Sequence, residues 1–251
     1  MNQTGPQLSI VIPVFNEAEN ILAVLKDLRD VQTPHEVLIV YDFEEDTTLA
    51  AVRSGALEED NVRLVRNDLG AGVLNAMRTG MRAAAAPLIV VMMADRADDA
   101  RDIDRMAARA SRGADLVAAS RYIRGGRQIG GPPVKRFLSR AAGLSLRWVG
   151  RLPIHDPTNN FKLYRRTFLE SVNIESTAGF ELALELSVKA ALNGFALDEV
   201  PTTWRDRSAG TSRFQLRRWL PHYLRWYSHY LKQRLRDLVR LRGGPPSHGQ
   251  P

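Results

Sequence analysis

The chain has 251 residues, 44% of them apolar and 25% charged, enough for one large domain or two small ones around a real core. It contains no cysteine, which excludes a disulfide framework and any metal held by thiolates, and agrees with a reducing compartment. The net charge of +7 is uneven: from Arg213 to Arg242 nine Lys/Arg stand against one acid, Asp237, and the remainder sums to −1. The basic character therefore belongs to the C-terminal segment, whose expected partner is an anionic surface.

In chain order, residues 8–15 (LSIVIPVF), 35–42 (HEVLIVYD) and 87–94 (PLIVVMMA) are apolar, β-branched runs that read as strands buried on both faces. Residues 61–68 (NVRLVRND) form a shorter, alternating candidate. Helical stretches separate them at 17–31, 46–60 and 71–85, with Ile21, Leu22, Leu25 and Leu28 at helical spacing. Strand–helix alternation predicts a mostly parallel α/β sheet whose ligands sit beyond the carboxyl ends of the strands. Phe15-Asn16-Glu17, Asp42 and Asp95 fall at three such ends.

Further along, 102–122 reads as helix, loop and strand, and 124–133 (RGGRQIGGPP) as a mobile glycine-rich loop. A basic amphipathic helix follows over 134–150, then a polar loop, short strand and helix start over 153–172, a helix over 179–195, and a late strand over 196–207. Neither a leader pattern nor a run of roughly 18 apolar residues is present, so a soluble or peripheral chain is expected. Residues 243–251 read as a disordered tail.

The segment 216–242 places Leu220, Leu224, Tyr227, Leu231, Leu235 and Leu238 on one helical face, ringed largely by arginine and lysine, with Trp219, Tyr223, Trp226 and Tyr230 clustered at its front. That composition fits an interfacial helix lying on a membrane. It fits equally a helix packed on its own domain or on a second subunit.

Chemistry concentrates in VVMMADRADD (90–99), where a buried strand runs into Asp95, Asp98 and Asp99. Asp99 and Asp102 suit caps on the following helix. With acids at other strand ends, the cluster also suits a Mg2+ or Mn2+ ion bound to substrate phosphates, Asp95 as the ligand and Asp98 as the candidate to complete it. Arg121, Arg124, Arg127, Arg205, Arg207 and Arg213 stand in loops or at strand ends, and guanidinium groups bind phosphate in two-pronged fashion.

These motifs resemble family 2 glycosyltransferases of GT-A fold, closest to the dolichyl- or polyprenyl-phosphate mannose or glucose synthase branch, over residues 1 to about 215. The carrying blocks are LSIVIPVFNEAENI, VLIVYDFEEDTT, DLGAGVLNAMRTG with Gly70, Gly72 and Gly80, MMADRADD, ASRY, HDPTNNFKLYRR, GFELALEL and WRDRSAGTSR. The resemblance implies a GT-A domain over 1–215, followed by the amphipathic helix 216–242 and the tail 243–251. It implies a nucleotide-sugar site at Pro13, Phe15, Asn16, Glu17, Asp42, Gly72, Asn75, Ala94 and Asp95, with a GDP- or UDP-linked donor and inversion at the sugar. The departures are specific: Met93 stands in place of the first aspartate of the D-x-D metal motif, Tyr41 replaces the first acid of the nucleotide pair, and Arg96-Ala97 stand where Leu-Gln is usual. The paired C-terminal transmembrane helices of some members have no counterpart here, and the basic helix takes their place.

Displacement at the anomeric carbon needs the leaving diphosphate stabilised, work for Asp95 with its ion and for arginines. A polyprenyl phosphate acceptor is already anionic at neutral pH and needs anchoring, for which Arg121, Arg124, Arg127 and Arg207 are the candidates, alongside Arg205, Ser212 and Arg213. A hydroxyl acceptor needs a base, and Asp156 is the best placed. Asn159 and Asn160 are expected on the acceptor side, facing sugar hydroxyls. Glu181 and Glu185 share one face of their helix and are within reach of the site. Catalytic work thus falls to Asp95, Arg121, Asp156 and Arg207, at the cytoplasmic face of a membrane, with a homo-oligomer compatible and no nucleic acid expected. Transfer to a saccharide or other hydroxyl acceptor is the alternative within the enzyme class, and a basic nucleic-acid or membrane binding protein is the alternative outside it. A nicotinamide-dependent oxidoreductase would need a G-x-G-x-x-G turn after the first strand, and PVFNEAEN is not one.

Overall fold

The computed structural model describes residues 5–55, 60–206 and 216–242, without the side chains of 216–218, 238 and 240–242. Arg207, Ser212, Arg213 and the tail 243–251 lie outside the described residues.

The N-terminal half alternates strictly: β1 (Leu8–Pro13), α1 (Ala18–Leu28), β2 (His35–Tyr41), α2 (Thr47–Gly55), β3 (Val62–Arg66), α3 (Val73–Ala83), β4 (Leu88–Val91), α4 (Asp102–Ser111) and β5 (Leu116–Ser120). Then come β6 (Arg127–Ile129), α5 (Pro133–Trp148), β7 (Lys162–Arg165), α6 (Arg166–Ser171), α7 (Leu182–Leu192), β8 (Leu197–Pro201), β9 (Thr203–Arg205) and α8 (Leu216–Arg242). Seven strands form one sheet in the order β3-β2-β1-β4-β7-β5-β8. Every pairing is parallel except those of β7, which runs against β4 and β5. The expected mostly parallel sheet with helices on both faces is what forms.

The continuous apolar runs follow from that sandwiching. Ile10 and Ile12 of β1 join one core cluster with α1, α2 and α4, while Val11 joins the other with α3, α5, α7 and α8. On α1, Ile21, Val24, Leu25 and Leu28 are buried at helical spacing. Gly80 lets α3 approach the sheet closely, since a Cβ there would sit 2.2 Å from a methyl of Val11.

Two differences from expectation matter for the site. The glycine-rich loop 124–133 contains β6, which pairs in parallel with β9 as a separate two-stranded ribbon. The late strand splits into β8 and β9, so the chain leaves the main sheet to form that ribbon.

Candidate functional site

Strand order turns at β1, whose neighbours are β2 on one side and β4 on the other. In an open α/β sheet such a turn in strand order, beyond the carboxyl ends of the strands, is where the ligand crevice lies. The loops leaving β1 and β4 carry Phe15-Asn16-Glu17 and Asp95 to Asp98.

The β1 turn is held by the start of α2. Asn16 adopts a left-handed φ of 55°, and its amide donates to both carboxylate oxygens of Asp46 at 3.0 and 3.1 Å. The same carboxylate caps α2 through the Thr48 amide at 2.8 Å. Thr48 Oγ1 accepts the Glu17 amide at 2.9 Å, and the Thr47 amide donates to Asn16 Oδ1 at 3.1 Å. Phe15 is exposed and meets Phe43 edge-on, ring centroids 5.3 Å apart. Pro13 ends β1 and is buried. Asp46 and Thr48 escaped the sequence reading, although Asp-Thr-Thr at a helix start is a capping signature.

Beside this turn, Asp42 Oδ1 accepts from Asn67 Nδ2 at 2.7 Å and Oδ2 from the Gly72 amide at 2.8 Å. Asn67 also donates to the Gly70 carbonyl at 2.7 Å, and Asn75 to that of Leu69 at 3.0 Å. Gly72, at φ 121°, turns the chain into α3. Asp42 and Gly72 are therefore tied together, and Asn75 braces the same 67–72 turn.

After β4, Ala94 is buried and Asp95 Oδ1 accepts the Ala97 amide at 3.1 Å. Asp98 Oδ1 is shut from solvent without a hydrogen-bond partner. Burial, with the Asp95 charge next, pushes the Asp98 carboxyl up to about 8 against the pull of Arg121. A hard divalent cation would relieve such a pair. Among the described residues no set of three or more His, Asp or Glu surrounds a point where an ion could sit. The donors present fit an ion that completes its shell with diphosphate oxygens and water. Asp99 serves differently from Asp98: it accepts from the Arg101 amide at 3.1 Å and pairs with that guanidinium. Asp102 is the first residue of α4, not its cap, and pairs with Arg105.

The β6–β9 ribbon reaches the acids through backbone. The Arg205 amide of β9 donates to the Ala97 carbonyl at 2.9 Å, so the β6–β9 ribbon lies against the loop between Asp95 and Asp98. Arg127 and Arg205 ride on this ribbon and Arg124 just before it, all three exposed.

Arg121 departs from the expected open anchor. It is nearly buried, and its amide, Nε and a terminal nitrogen all donate to Asp156, at 3.1, 2.6 and 2.9 Å. The terminal nitrogen also reaches Ser139 Oγ at 3.1 Å, and the Tyr122 hydroxyl donates to the same oxygen at 3.1 Å. Asp156 is fully buried; burial pushes its carboxyl up, and Arg121 more than reverses this, holding it below the usual carboxylate range. A carboxylate locked in that way is a poor base.

Lys162 explains how the 156–160 loop is folded for this pairing. Fully buried at the start of β7, its ammonium donates to the carbonyls of Asp156 at 3.3 Å and Pro157 at 3.1 Å, and to that of Asn159. Burial pulls its pKa down to about 7. No sequence spacing signals it.

Three further expectations change. Asn159 is buried, donating to the Ala119 carbonyl at 2.9 Å and accepting from the Phe161 amide at 3.4 Å, so it shapes the loop instead of facing a sugar. Asn160 donates to the Phe180 carbonyl at 3.3 Å. Glu181 and Glu185 do not face the crevice: Glu181 accepts the amides of Thr177, Ala178 and Gly179, and Glu185 those of Glu175 and Ser176.

On α8 the aromatic collar faces inward. Trp219, Trp226 and Tyr230 are buried against the domain, and the Tyr223 hydroxyl donates to the Phe180 carbonyl at 2.9 Å. No helix among the described residues is long and apolar enough to cross a membrane.

A family model described as glycosyl transferase family 2 matches residues 9–172. The polyprenol monophosphomannose synthase of Mycolicibacterium smegmatis is 30% identical over 211 residues, 81% of this chain and 79% of that protein. The undecaprenyl-phosphate mannosyltransferase of Micrococcus luteus is 28% identical over 209 residues, 81% of this chain and 85% of that protein. A crystal structure of glucosyl-3-phosphoglycerate synthase from Mycobacterium tuberculosis, with Mn2+, uridine diphosphate and phosphoglyceric acid, superposes with a TM-score of 0.66 at 17% identity. It covers 92% of this chain and 79% of that one, a likeness of fold.

Proposed function

The chain belongs to glycosyl transferase family 2, and from that membership we propose that this glycosyltransferase moves a sugar, with inversion, from a nucleoside-diphosphate donor to a polyprenyl phosphate at a membrane surface. The names of the two relatives support a lipid phosphate acceptor. The observation that carries it is the state of Asp156. The carboxylate best placed to deprotonate a hydroxyl is buried, ion-paired and held ionised by Arg121. An acceptor here must bring its own anionic nucleophile, and a phosphate monoester does so at neutral pH.

In this reading the donor's nucleoside lies along Pro13–Glu17 and the Phe15–Phe43 pair, with Asp42, Gly72 and Asn75 forming its rim and Ala94 and Asp95 beneath the diphosphate. Asp95 and Asp98 would hold Mg2+ or Mn2+, which supplies Lewis acidity to the departing nucleotide. Arg124, Arg127 and Arg205, set against the acid loop by the ribbon, hold the acceptor phosphate and offset charge as it builds on the diphosphate. Arg121 fixes the floor between them by holding Asp156, Ser139 and Tyr122. Arg207, Ser212 and Arg213 follow the ribbon in sequence and are assigned to the same acceptor side.

The test is incubation with GDP- and UDP-sugars, either ion, and a short-chain polyprenyl phosphate. A glycolipid product that disappears in Asp95→Ala is expected. Transfer to a saccharide hydroxyl with no lipid product would overturn the reading.

A further inference from the structure

Across β7, β5 and β8 the register sets Lys162, Ala118 and Glu199 side by side on one face of the sheet. Ala118 is buried, and its single methyl leaves room for both longer side chains to reach over it. The loop from His155 to Asn159 crosses that row. Lys162 takes carbonyls of the loop, and Glu199 takes donors. One Glu199 carboxylate oxygen accepts the His155 amide at 3.0 Å, and the other accepts from His155 Nδ1 at 2.5 Å. The pair is largely shielded, with the Glu199 side chain 11% exposed and that of His155 26%. α5 closes on the same residue. A Cβ on Gly143 would sit 2.2 Å from the His155 carbonyl oxygen, so the helix rests on bare backbone there.

His155 is thus held at its amide and its ring and braced at its carbonyl. The next residue is Asp156, whose carboxylate has to meet three donors of Arg121. Rotation of the backbone at 155 would swing that carboxylate off the guanidinium. A carboxylate that accepts from both the main chain and the side chain of one residue fixes its orientation, as two-pronged ionic hydrogen bonds do. The two ends of the row also support each other. Burial lowers the Lys162 pKa, and the charges of Asp156 and Glu199 oppose that lowering.

We infer that Glu199, acting through His155, is a positioning residue for Asp156: with Lys162 it grips the 155–159 loop from either side of Ala118, so that the Asp156–Arg121 pair forms in one geometry. Glu199 stands on β8, the edge strand of the sheet, away from the β1 and β2 ends that carry Pro13–Glu17 and Asp42. Its loss should therefore disturb the floor around Arg121 and spare the nucleotide end. That consequence rests on the lipid phosphate acceptor proposed above; the positioning itself does not.

Two measurements on the full chain test this. Thermal melts compare Asp156→Asn, Glu199→Ala and the double variant. The drop in melting temperature caused by Asp156→Asn should shrink by about half or more in the Glu199→Ala background. Additive drops would overturn the positioning. Transfer assays then use a nucleotide-sugar and a short-chain polyprenyl phosphate. Glu199→Ala should raise the KM for the acceptor by about tenfold, with the KM for the nucleotide-sugar within about twofold of wild type. Glu199→Gln, which keeps the shape but can accept from only one of the two donors, should shift the same constant by less. His155→Ala keeps the amide bond and should also show a smaller rise, most of which His155→Asn should restore by placing a donor near the Nδ1 position. Both KM values moving together, or His155→Asn performing no better than His155→Ala, would overturn the positioning and leave Glu199 a general support of the fold. Coupled melts with no lipid product from wild type would sink the proposed acceptor and leave the positioning standing; lipid product with additive melts would do the reverse.

Discussion

Asp156→Asn isolates the contact on which the proposed acceptor side is built. The change keeps the shape and removes one charge from a pair in which Asp156 is fully buried and Arg121 nearly so. Three donors of Arg121 converge on the carboxylate, and the Thr158 hydroxyl adds a fourth at 3.3 Å. Arg121 then becomes a nearly buried cation without its partner charge, a loss of about 3–5 kcal/mol. For a chain of this size that corresponds to a melting temperature lower by roughly 10 °C. The pH dependence has a definite sign. The folded pKa of Asp156 lies below its unfolded value, so its contribution is complete above the unfolded carboxylate range and disappears as pH falls through the folded value. The gap between wild type and Asp156→Asn should therefore close in acid. Arg121→Met/Asp156→Leu should regain most of the stability, because removing both charges also removes their desolvation cost, but it should not regain glycolipid synthesis. Scanning calorimetry across pH, with transfer assays alongside, checks each point. An Asp156→Asn protein that melts with wild type at neutral pH would refute the pairing.

Other substitutions probe the remaining supports. Asp46→Ala removes the α2 cap, costing about 0.5–2 kcal/mol, and releases the Asn16 amide, so the KM for nucleotide-sugar should rise more than kcat falls. Equal effects on both would argue against a positioning role for Asp46. Lys162→Met leaves the carbonyls of Asp156, Pro157 and Asn159 without their donor, and about 1–3 kcal/mol of stability should go. Because the folded pKa of Lys162 is about 7, below its unfolded value, the unfolded chain holds the extra proton above neutrality. Stability should therefore rise with pH through the alkaline range in wild type, and less in Lys162→Met, as thermal melts would record. Gly80→Ala presses a methyl into Val11, an overpacking worth about 1–3 kcal/mol that Val11→Ala should partly relieve; no loss of stability would mean that α3 can shift.

Strand runs and the acids at their ends were legible because a sheet covered on both faces leaves its strands apolar along their whole length. Pro13–Glu17, Asp42 and Asp95 could be placed without coordinates for that reason. Partners could not. Arg121 and Asp156 are 35 residues apart, and nothing local to either announces the other. β6 and β9 are three residues each and pair across the whole of α5 to β8, too short for a periodic signal. Lys162 sits among strand residues that bury it entirely, where composition alone predicts a solvated amine. Its place depends on three carbonyls of a loop that exists only once β7 has inserted antiparallel between β4 and β5.

Of the two readings of α8, its burial shows the packing on its own domain, while contact of its outer line with a membrane belongs to the proposed function. Helical spacing reveals that apolar residues share a side, but not how many sides are covered. Trp219, Trp226 and Tyr230 follow one line and Leu220, Leu224, Leu235 and Val239 another on the opposite side. Packing on the domain uses the first and leaves the second outside. A helix buried on one line is rigidly seated, so its other line presents a fixed surface that need not fold on contact with a membrane. The same seating ties it inward, since the Tyr223 hydroxyl and the Asn160 amide both donate to the Phe180 carbonyl. Tyr223→Phe should therefore leave vesicle flotation intact while altering the KM for the lipid acceptor. Loss of flotation in that variant would mean that the inner line seats the helix less firmly than its burial indicates.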